Sequence, residues 1–228
     1  TFGESGIKEC SNIVCRNCYF EGKYPLWHVK KSDIRNCYFA PGSRSAIWYS
    51  DDMHMEDCVI NGPKFFREMK NLSLKNVTIN DADETFWGID GLTMENVVLH
   101  DGTYPFMHCR NIKVDGLESD SKYVFQYSRD IEIRNAKIDT KDSFWEVDNV
   151  TVYDSELNGF LSERFFISES SLVGILAVCV SSTATYRVSS HCAMPRTLCL
   201  RIAPSTPSAT VPLSIQLSRP TYADTSRA

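Results

Sequence analysis

Apolar and polar positions recur along residues 7–159 with a period of about 20 residues. Eight segments of eight residues share one pattern, and they start at Ile13, Ser32, Met53, Leu72, Leu92, Ile112, Ile131 and Val150, at intervals of 19 to 21 residues. In each segment the first, third, sixth and eighth positions are mostly apolar or small. Such alternation over a few residues predicts short strands, and the break between the third and sixth positions predicts a bend.

The fifth position of each segment supplies that bend. It is always Asn, Asp or Gly: Asn17, Asn36, Asp57, Asn76, Asn96, Gly116, Asn135 and Asp154. These residues tolerate left-handed backbone angles, and Asn side chains stacked in register can bond the turns above and below. The column therefore predicts an asparagine ladder.

A repeat of this length cannot bury its own apolar face, so neighbouring repeats must stack on one another. Leucine-rich repeats share the period but require a different leucine spacing and a helical return. We therefore predict an all-β fold: a right-handed parallel β-helix, or solenoid, of about eight turns of 19–21 residues across residues 1–159. At a strand spacing of about 4.8 Å, these turns form a rod of roughly 38 Å.

A second strand precedes each segment and contributes two columns of opposite orientation. The inward column is apolar: Leu26, Ile47, Phe66, Phe86, Phe106, Phe125 and Phe144. The next residue of each turn is predicted to face outward: Trp27, Trp48, Arg67, Trp87, Met107, Gln126 and Trp145. The column after that reads His28, Tyr49, Glu68, Gly88, His108, Tyr127 and Glu146. Together the last two columns predict an aromatic wall that is exposed to solvent.

Two functions fit this wall. Sugar rings stack on aromatic faces while their hydroxyls bond polar side chains, which predicts an oligosaccharide site. Its candidate ligand-binding residues are Trp27, His28, Trp48, Trp87, Tyr127, Trp145 and Glu146. Alternatively, the tryptophans cover a surface against which another strand, loop or subunit packs. The protein would then be a structural or homo-oligomeric scaffold without catalysis.

Catalysis is limited by the distances that the solenoid imposes. Glu68 and Glu146 lie four turns apart, about 19 Å, whereas paired glycosidase carboxylates need roughly 5 to 9.5 Å. Candidate acid/base residues nevertheless lie on neighbouring turns around Glu68: Tyr49, Arg67, Glu68 and His108. The alternative is a structural role for Arg67 and Glu68. The sequence suggests no cofactor, and this face has no acidic cluster typical of a calcium site.

The composition limits the classes of binding partner and the cellular location that are expected for this protein. The net charge is −5, and basic residues alternate with acidic ones, so no basic stripe predicts a nucleic-acid partner. No apolar run approaches the roughly 20 residues of a membrane span, and no signal peptide opens the chain, which predicts a cytoplasmic protein. Because Thr1 falls just ahead of a repeat that is already in phase, the sequence is also compatible with an additional segment before Thr1.

The nine cysteines are expected to be reduced thiols. Cys15 and Cys18 resemble a CxxC motif, but they occupy the third and sixth repeat positions. Cys18, Cys37 and Cys58 then form one interior column. Packing, not metal binding or redox chemistry, is therefore predicted for these cysteines.

The repeat pattern ends near Gly159. Residues 160–228 contain no Lys, Asn or Trp. Two explanations fit this tail. It is a divergent, disordered segment, or it is a frameshifted continuation, since residues 192–207 read in a shifted frame can spell a further turn of the repeat. No function is assigned to these residues, and their cysteines and His191 are not interpreted as a metal site.

Four stretches carry a family resemblance: 45–50 (SAIWYS), 64–69 (KFFREM), 106–108 (FMH) and 152–155 (VYDS). Through them the chain resembles the domain-of-unknown-function family 3737, bacterial proteins with a predicted pectin-lyase-like right-handed β-helix. The resemblance covers roughly residues 4–159 and implies the fold without any established activity. The wider superfamily includes polysaccharide lyases, hydrolases and carbohydrate epimerases, which is an analogy of fold alone.

Overall fold

The computed structural model describes residues 3–141, 143–159 and 185–186. These residues form strands and turns with no helix. The strands in chain order are β1 (Ile7–Lys8), β2 (Ser11–Arg16), β3 (Tyr19–Phe20), β4 (Leu26–Trp27), β5 (Lys30–Arg35), β6 (Tyr38–Phe39), β7 (Ile47–Trp48), β8 (Asp51–Ile60), β9 (Phe66–Arg67), β10 (Lys70–Ile79), β11 (Asp90–Leu99), β12 (Arg110–Ser119), β13 (Arg129–Arg134), β14 (Lys137–Thr140), β15 (Asp148–Tyr153), β16 (Glu156–Gly159) and β17 (Thr185–Tyr186).

The strands stack in parallel, each turn on the next, with the register that the repeat predicts. Leu72 pairs with Met53 on one side and with Leu92 on the other. A 13-stranded sheet runs from β17 to β2, and a smaller sheet joins β1, β4, β7 and β9. The predicted parallel β-solenoid of about eight turns is confirmed.

Rows of identical or similar side chains fill the interior. Phe66, Phe86, Phe106, Phe125 and Phe144 stack with centroid separations of 5.1, 4.9, 4.3 and 5.4 Å and interplanar angles of 12° or less. Leu26 and Ile47 continue this row and are fully buried. The predicted inward column is confirmed, and stacked aromatic pairs add to the stabilisation from burial.

The asparagine ladder is present, and a second ladder accompanies it. In the predicted column, Asn36 donates to Asn17 at 2.5 Å and Asn76 donates to Asp57 at 3.0 Å. Five residues earlier in the turn, Asn71 donates to Asp52 at 2.7 Å. Left-handed backbone angles recur at several places in every turn, for example at Tyr24, His28, Lys31 and Asn36. The sequence predicts only the last of these four columns.

The interior cysteine column is also confirmed. The thiols of Cys37 and Cys58 each accept a backbone N–H from the preceding turn at 3.4 Å and donate to a carbonyl two residues back. Ser155 uses its hydroxyl in the same way, accepting from Ala136 at 3.0 Å. Small polar side chains at this corner therefore satisfy buried backbone groups.

The predicted tail lies largely outside the described residues. Its Thr185–Tyr186 strand pairs in parallel with Glu156 and Leu157 of β16. The two explanations of the tail both remain predictions.

Candidate functional site: the aromatic corner

The two columns predicted to form the aromatic wall lie at one corner of the solenoid. We call them the aromatic corner: Trp27, Trp48, Arg67, Trp87, Met107, Gln126 and Trp145, each with the residue that follows it. Short strands such as β4, β7 and β9 hold the first column, and isolated parallel bridges continue it through Trp87 and Met107. The second column bends the chain, since His28 and Tyr49 have φ angles of 54° and 55°.

The expectation of a fully exposed first column is wrong for part of its length. Met107 and Gln126 are only 8% and 4% exposed, and Trp27, Trp48 and Trp87 are half-buried. Each of these side chains lies between its counterparts on neighbouring turns, which cover it. Trp145, at 38%, is exposed.

The indole rings stack along the solenoid axis. Trp27 and Trp48 lie 5.4 Å apart at an interplanar angle of 29°. The Arg67 guanidinium carbon then lies 5.1 Å from the Trp48 ring and 4.8 Å from the Trp87 ring. A cation between two indoles is attracted by both ring quadrupoles. Both faces of Trp48 are thus covered, and its Nε1 donates to the Lys64 carbonyl at 2.7 Å.

The second column carries the more exposed groups. His28 stacks on Tyr49 at 4.9 Å, and His108 stacks on Tyr127 at 5.1 Å. All four side chains are exposed. The corner therefore presents ring edges and polar atoms to solvent, while its indole faces are largely used within the stack.

Each of the four candidate catalytic residues contacts a residue of a neighbouring turn, and Tyr49 does so by stacking on His28 at 4.9 Å. Arg67 is engaged by the two indoles, and no hydrogen bond or ion pair joins it to Glu68 in the described part of the chain. The Glu68 carboxylate lies against the backbone of Gly88, where an added Cβ would be 2.8 Å from Oε1. His108 is held by aromatic neighbours. This arrangement favours a structural role for Arg67.

A small depression lies elsewhere, lined by His100, Glu118, Ser119, Asp120, Lys137 and Asp139. His100 Nδ1 lies 3.0 Å from Asp120 Oδ2, and Asp120 Oδ1 accepts the Asp101 N–H at 2.8 Å. Its volume is about 50 Å³, far below the roughly 300 Å³ at which small-molecule pockets begin. The repeat pattern does not indicate this cluster. Across the described ranges, no group of three or more His, Cys, Asp or Glu side chains has a metal-binding arrangement.

The buried thiols are not activated nucleophiles. Burial raises the pKa of Cys15 to about 11 and the pKa values of Cys58 and Cys109 to about 12. All the cysteines of the described residues are free. Because the thiolate is the reactive and metal-binding form, these side chains act as packing groups.

A second outward-facing column, whose Thr78 and Val98 are half-buried, lies on another face, and the repeat pattern does not single it out. It occupies the seventh position of each segment, where a single outward residue lies between two inward ones. We call its first five members the tyrosine–valine stripe: Tyr19, Tyr38, Val59, Thr78 and Val98. Tyr19, Tyr38 and Val59 are 45%, 41% and 36% exposed, and the two tyrosine rings stack at 5.6 Å.

These observations define the class of protein, a parallel β-solenoid with stacked side-chain columns. A family described as "Protein of unknown function (DUF3737)" matches residues 1–171, and the chain belongs to that family. Among the described residues there is no helix that could span a membrane. The cytoplasmic location stays a prediction.

Two solved structures of QnrB1, described as a plasmid-mediated fluoroquinolone resistance protein, are similar to the chain at 10% identity. Both are trypsin-treated variants, and each carries a different single substitution. The first has a TM-score of 0.30, and its alignment spans 68% of the present chain and 85% of the QnrB1 chain. The second has a TM-score of 0.25 and covers 68% and 84%. No curated protein matches the sequence.

Proposed function

We propose that this protein is a non-catalytic scaffold, a rigid solenoid that displays side-chain columns to protein partners. The observation that carries this proposal is the covering of the indole faces by neighbouring turns and by Arg67. A sugar ring stacks on an open aromatic face, which the inner part of the corner does not offer. Exposed Tyr, Trp and Arg side chains are instead typical of protein interfaces.

The contacts of the candidate catalytic residues support the same conclusion. A general acid or base must lie within about 3 Å of the atom it serves, and a reacting group needs an enclosed, water-poor site. Glu68 is exposed and lies against Gly88, while His108 packs on Tyr127. The exposed Glu68 carboxylate is therefore not held in an enclosed site of that kind.

Titration of the full-length protein with a panel of oligosaccharides tests the proposal. We expect no saturable heat in calorimetry and no saturable change in tryptophan fluorescence, because the indoles already contact one another. A saturable response that is lost in Tyr127→Ser, but kept in the matched variant Tyr38→Ser on another face, would replace the scaffold with a glycan-binding protein.

Oligosaccharide binding is the second candidate, favoured by one end of the corner. Trp145 is 38% exposed and lies one turn from the exposed Tyr127, with Glu146 beside it. A short glycan could stack there with polar partners at hand. This candidate predicts that Trp145→Ala abolishes the response in the titration above, whereas Trp48→Ala leaves it unchanged.

A further inference from the structure

The tyrosine–valine stripe continues into charged residues of the same column. After Val98 the seventh positions are Glu118, Lys137 and Glu156. The parallel register places neighbouring members side by side: Tyr38 next to Val59, Thr78 next to Val98, and Glu118 next to Lys137. Along the solenoid axis, the side chains of this column therefore change from aromatic to mainly aliphatic and then to charged.

We propose that two copies of this chain dock face to face through this column, with antiparallel solenoid axes and a two-fold axis that passes between the two Thr78 residues. This inference rests on the proposed scaffold function and names its partner. A two-fold interface buries the same surface on both copies. If one residue of the first copy contacts another residue of the second copy, the same contact therefore occurs again with the two copies exchanged. The column then faces itself along its length.

The antiparallel register gives chemically matched pairs. Val59 meets Val98 of the second copy, Tyr38 meets Glu118, and Tyr19 meets Lys137, while Thr78 meets Thr78. Aliphatic groups are buried against each other, the Tyr38 hydroxyl can donate to the carboxylate, and the Lys137 ammonium can approach the Tyr19 ring. The parallel register would instead oppose Glu118 to Glu118 and Lys137 to Lys137, which is unfavourable.

The size of the face indicates a weak dimer. Seven turns at about 4.8 Å and a width of roughly 15 Å give about 500 Å² per copy and about 1,000 Å² in total. Specific interfaces bury about 1,200 to 2,000 Å², so this one lies below that range. At the rim, Glu21 of one copy faces Asp139 of the other, and this exposed like-charge pair is screened by salt. We expect dimerisation at high micromolar concentration.

A charge-swap cycle in sedimentation equilibrium of the full chain tests both the face and the register. Val59→Lys and Val98→Glu should each raise the dimer dissociation constant at least tenfold. The double variant should restore it to within about threefold, because the introduced lysine then faces the introduced glutamate of the second copy. Thr93→Lys adds the same charge at an exposed position on another wall of the solenoid and should leave the constant unchanged.

A cross-linking experiment gives a second measurement that requires little change to the fold. In a parent whose Cys10 and tail cysteines are replaced by serine, Thr78→Cys should form a disulfide-linked dimer with oxidised glutathione. Two protein thiols are oxidised as one glutathione disulfide is reduced to two thiols. Val59→Cys should not cross-link, because the two Val59 positions would lie about 10 Å apart, beyond the reach of a disulfide.

The outcomes separate this inference from the function on which it rests. Wild-type protein that stays monomeric to about 1 mM overturns the dimer. A Val59→Lys variant that dimerises normally overturns the face, and a cross-linked Val59→Cys or an unrestored double variant overturns the antiparallel register. None of these results affects the scaffold proposal, which falls only if glycan binding or turnover is found.

Discussion

At the scale of single residues, Arg67 is the member of the aromatic corner that lies between two indole rings. Its guanidinium lies 5.1 Å from the Trp48 ring and 4.8 Å from the Trp87 ring. An arginine in this position replaces one indole of the stack without breaking its periodicity, since a planar guanidinium stacks on aromatic faces. Both the positive charge and the planar shape of the Arg67 guanidinium therefore contribute to its contacts with the two indoles.

Removing Arg67 should weaken the corner. We expect Arg67→Ala to lower the free energy of unfolding by about 1 to 2 kcal/mol through loss of both cation–π contacts and of the packed stem. Arg67→Met keeps an apolar chain of similar length, so it should recover part of that loss. Denaturant unfolding followed by circular dichroism measures both. A methionine variant as stable as wild type would show that the cation contributes nothing.

The buried thiols should resist alkylation. A thiol whose pKa is about 12 is ionised to only about one part in 10⁴ at pH 8, and Cys58 and Cys109 are also shielded from solvent. We expect iodoacetamide to modify the exposed Cys10 of the native protein at least 100-fold faster than either. Peptide mass mapping, with a guanidinium-unfolded control in which all three react, measures the ratio. Similar native rates would contradict the burial.

At the scale of elements, each corner is held by bonds between turns. Asn76 has a φ angle of 51°, donates to Asp57 at 3.0 Å and accepts from Asn96 at 3.4 Å. Left-handed angles cost a non-glycine residue roughly 1 to 2 kcal/mol unless local bonds offset the strain. The ladder thus lets a bend recur in every turn.

Replacing Asn76 should separate the strain from the hydrogen bonds. Asn76→Gly removes the bonds but relieves the backbone, and we expect a loss of about 1 kcal/mol. Asn76→Ala removes the bonds and keeps the strain, so its loss should be about 2 kcal/mol. Thermal unfolding of both variants gives the comparison. Equal stability of the two would mean that the left-handed angle carries no cost here.

The outer face of the first strands carries a charge network. Asp33 accepts from Arg16 at 2.7 Å and from Arg35 at 2.8 Å, and Arg35 also lies 2.6 Å from Glu56. The hydrogen bonds from Arg16 and then from Arg35 lower the pKa of Asp33 well below its usual range. The Asp33 side chain is 33% exposed. Screening by solvent therefore limits its stabilising contribution to on the order of 1 kcal/mol.

This network makes a pH-dependent contribution with a defined sign. Because the folded pKa of Asp33 lies below its unfolded value near 3.9, its stabilisation is complete above about pH 5 and shrinks as the pH falls below about 4. Asp33→Asn should therefore be about 1 kcal/mol less stable than wild type at pH 7, and the two should converge toward about pH 2. Melting temperatures across this range test it. A gap that widens with acid would contradict the assignment.

The sequence predicts those corners at which the residue type itself indicates the backbone conformation. Asn17, Asn36 and Asp57 mark one corner because Asn and Asp are typical of left-handed turns. The corner that includes His28 and Tyr49 has similar backbone angles, but these side chains give no such signal. Their conformation is imposed by bonds between turns, such as the one from the Tyr49 N–H to the Arg67 carbonyl at 2.9 Å.

The sequence predicts the candidate site less well than the fold, for a related reason. Alternation assigns Met107 and Gln126 to the surface, since it describes one strand and ignores the turns above and below. In a solenoid those turns cover the side chain, so exposure depends on the neighbours along the axis. The tyrosine–valine stripe is hard to detect because one outward residue between two inward ones has the composition of a core strand.

At the scale of the whole molecule, the phenylalanine row determines how far a local defect spreads. Phe86 is fully buried and lies 5.1 Å from Phe66 and 4.9 Å from Phe106. Each turn contacts mainly the turns beside it, so stability is roughly a sum of turn and interface contributions. A cavity in the middle should then weaken two interfaces and leave distant turns intact.

Phe86→Ala should accordingly lower stability by about 3 to 5 kcal/mol and do so unevenly. We expect amides of β10, β11 and β12 to lose protection in hydrogen exchange, while those of β2 and β5 keep theirs. Phe86→Leu, which leaves a smaller cavity, should show the same pattern at reduced amplitude. A uniform loss of protection along β2 to β15 would instead show that the solenoid unfolds as one cooperative unit, with the phenylalanine row coupling all its turns.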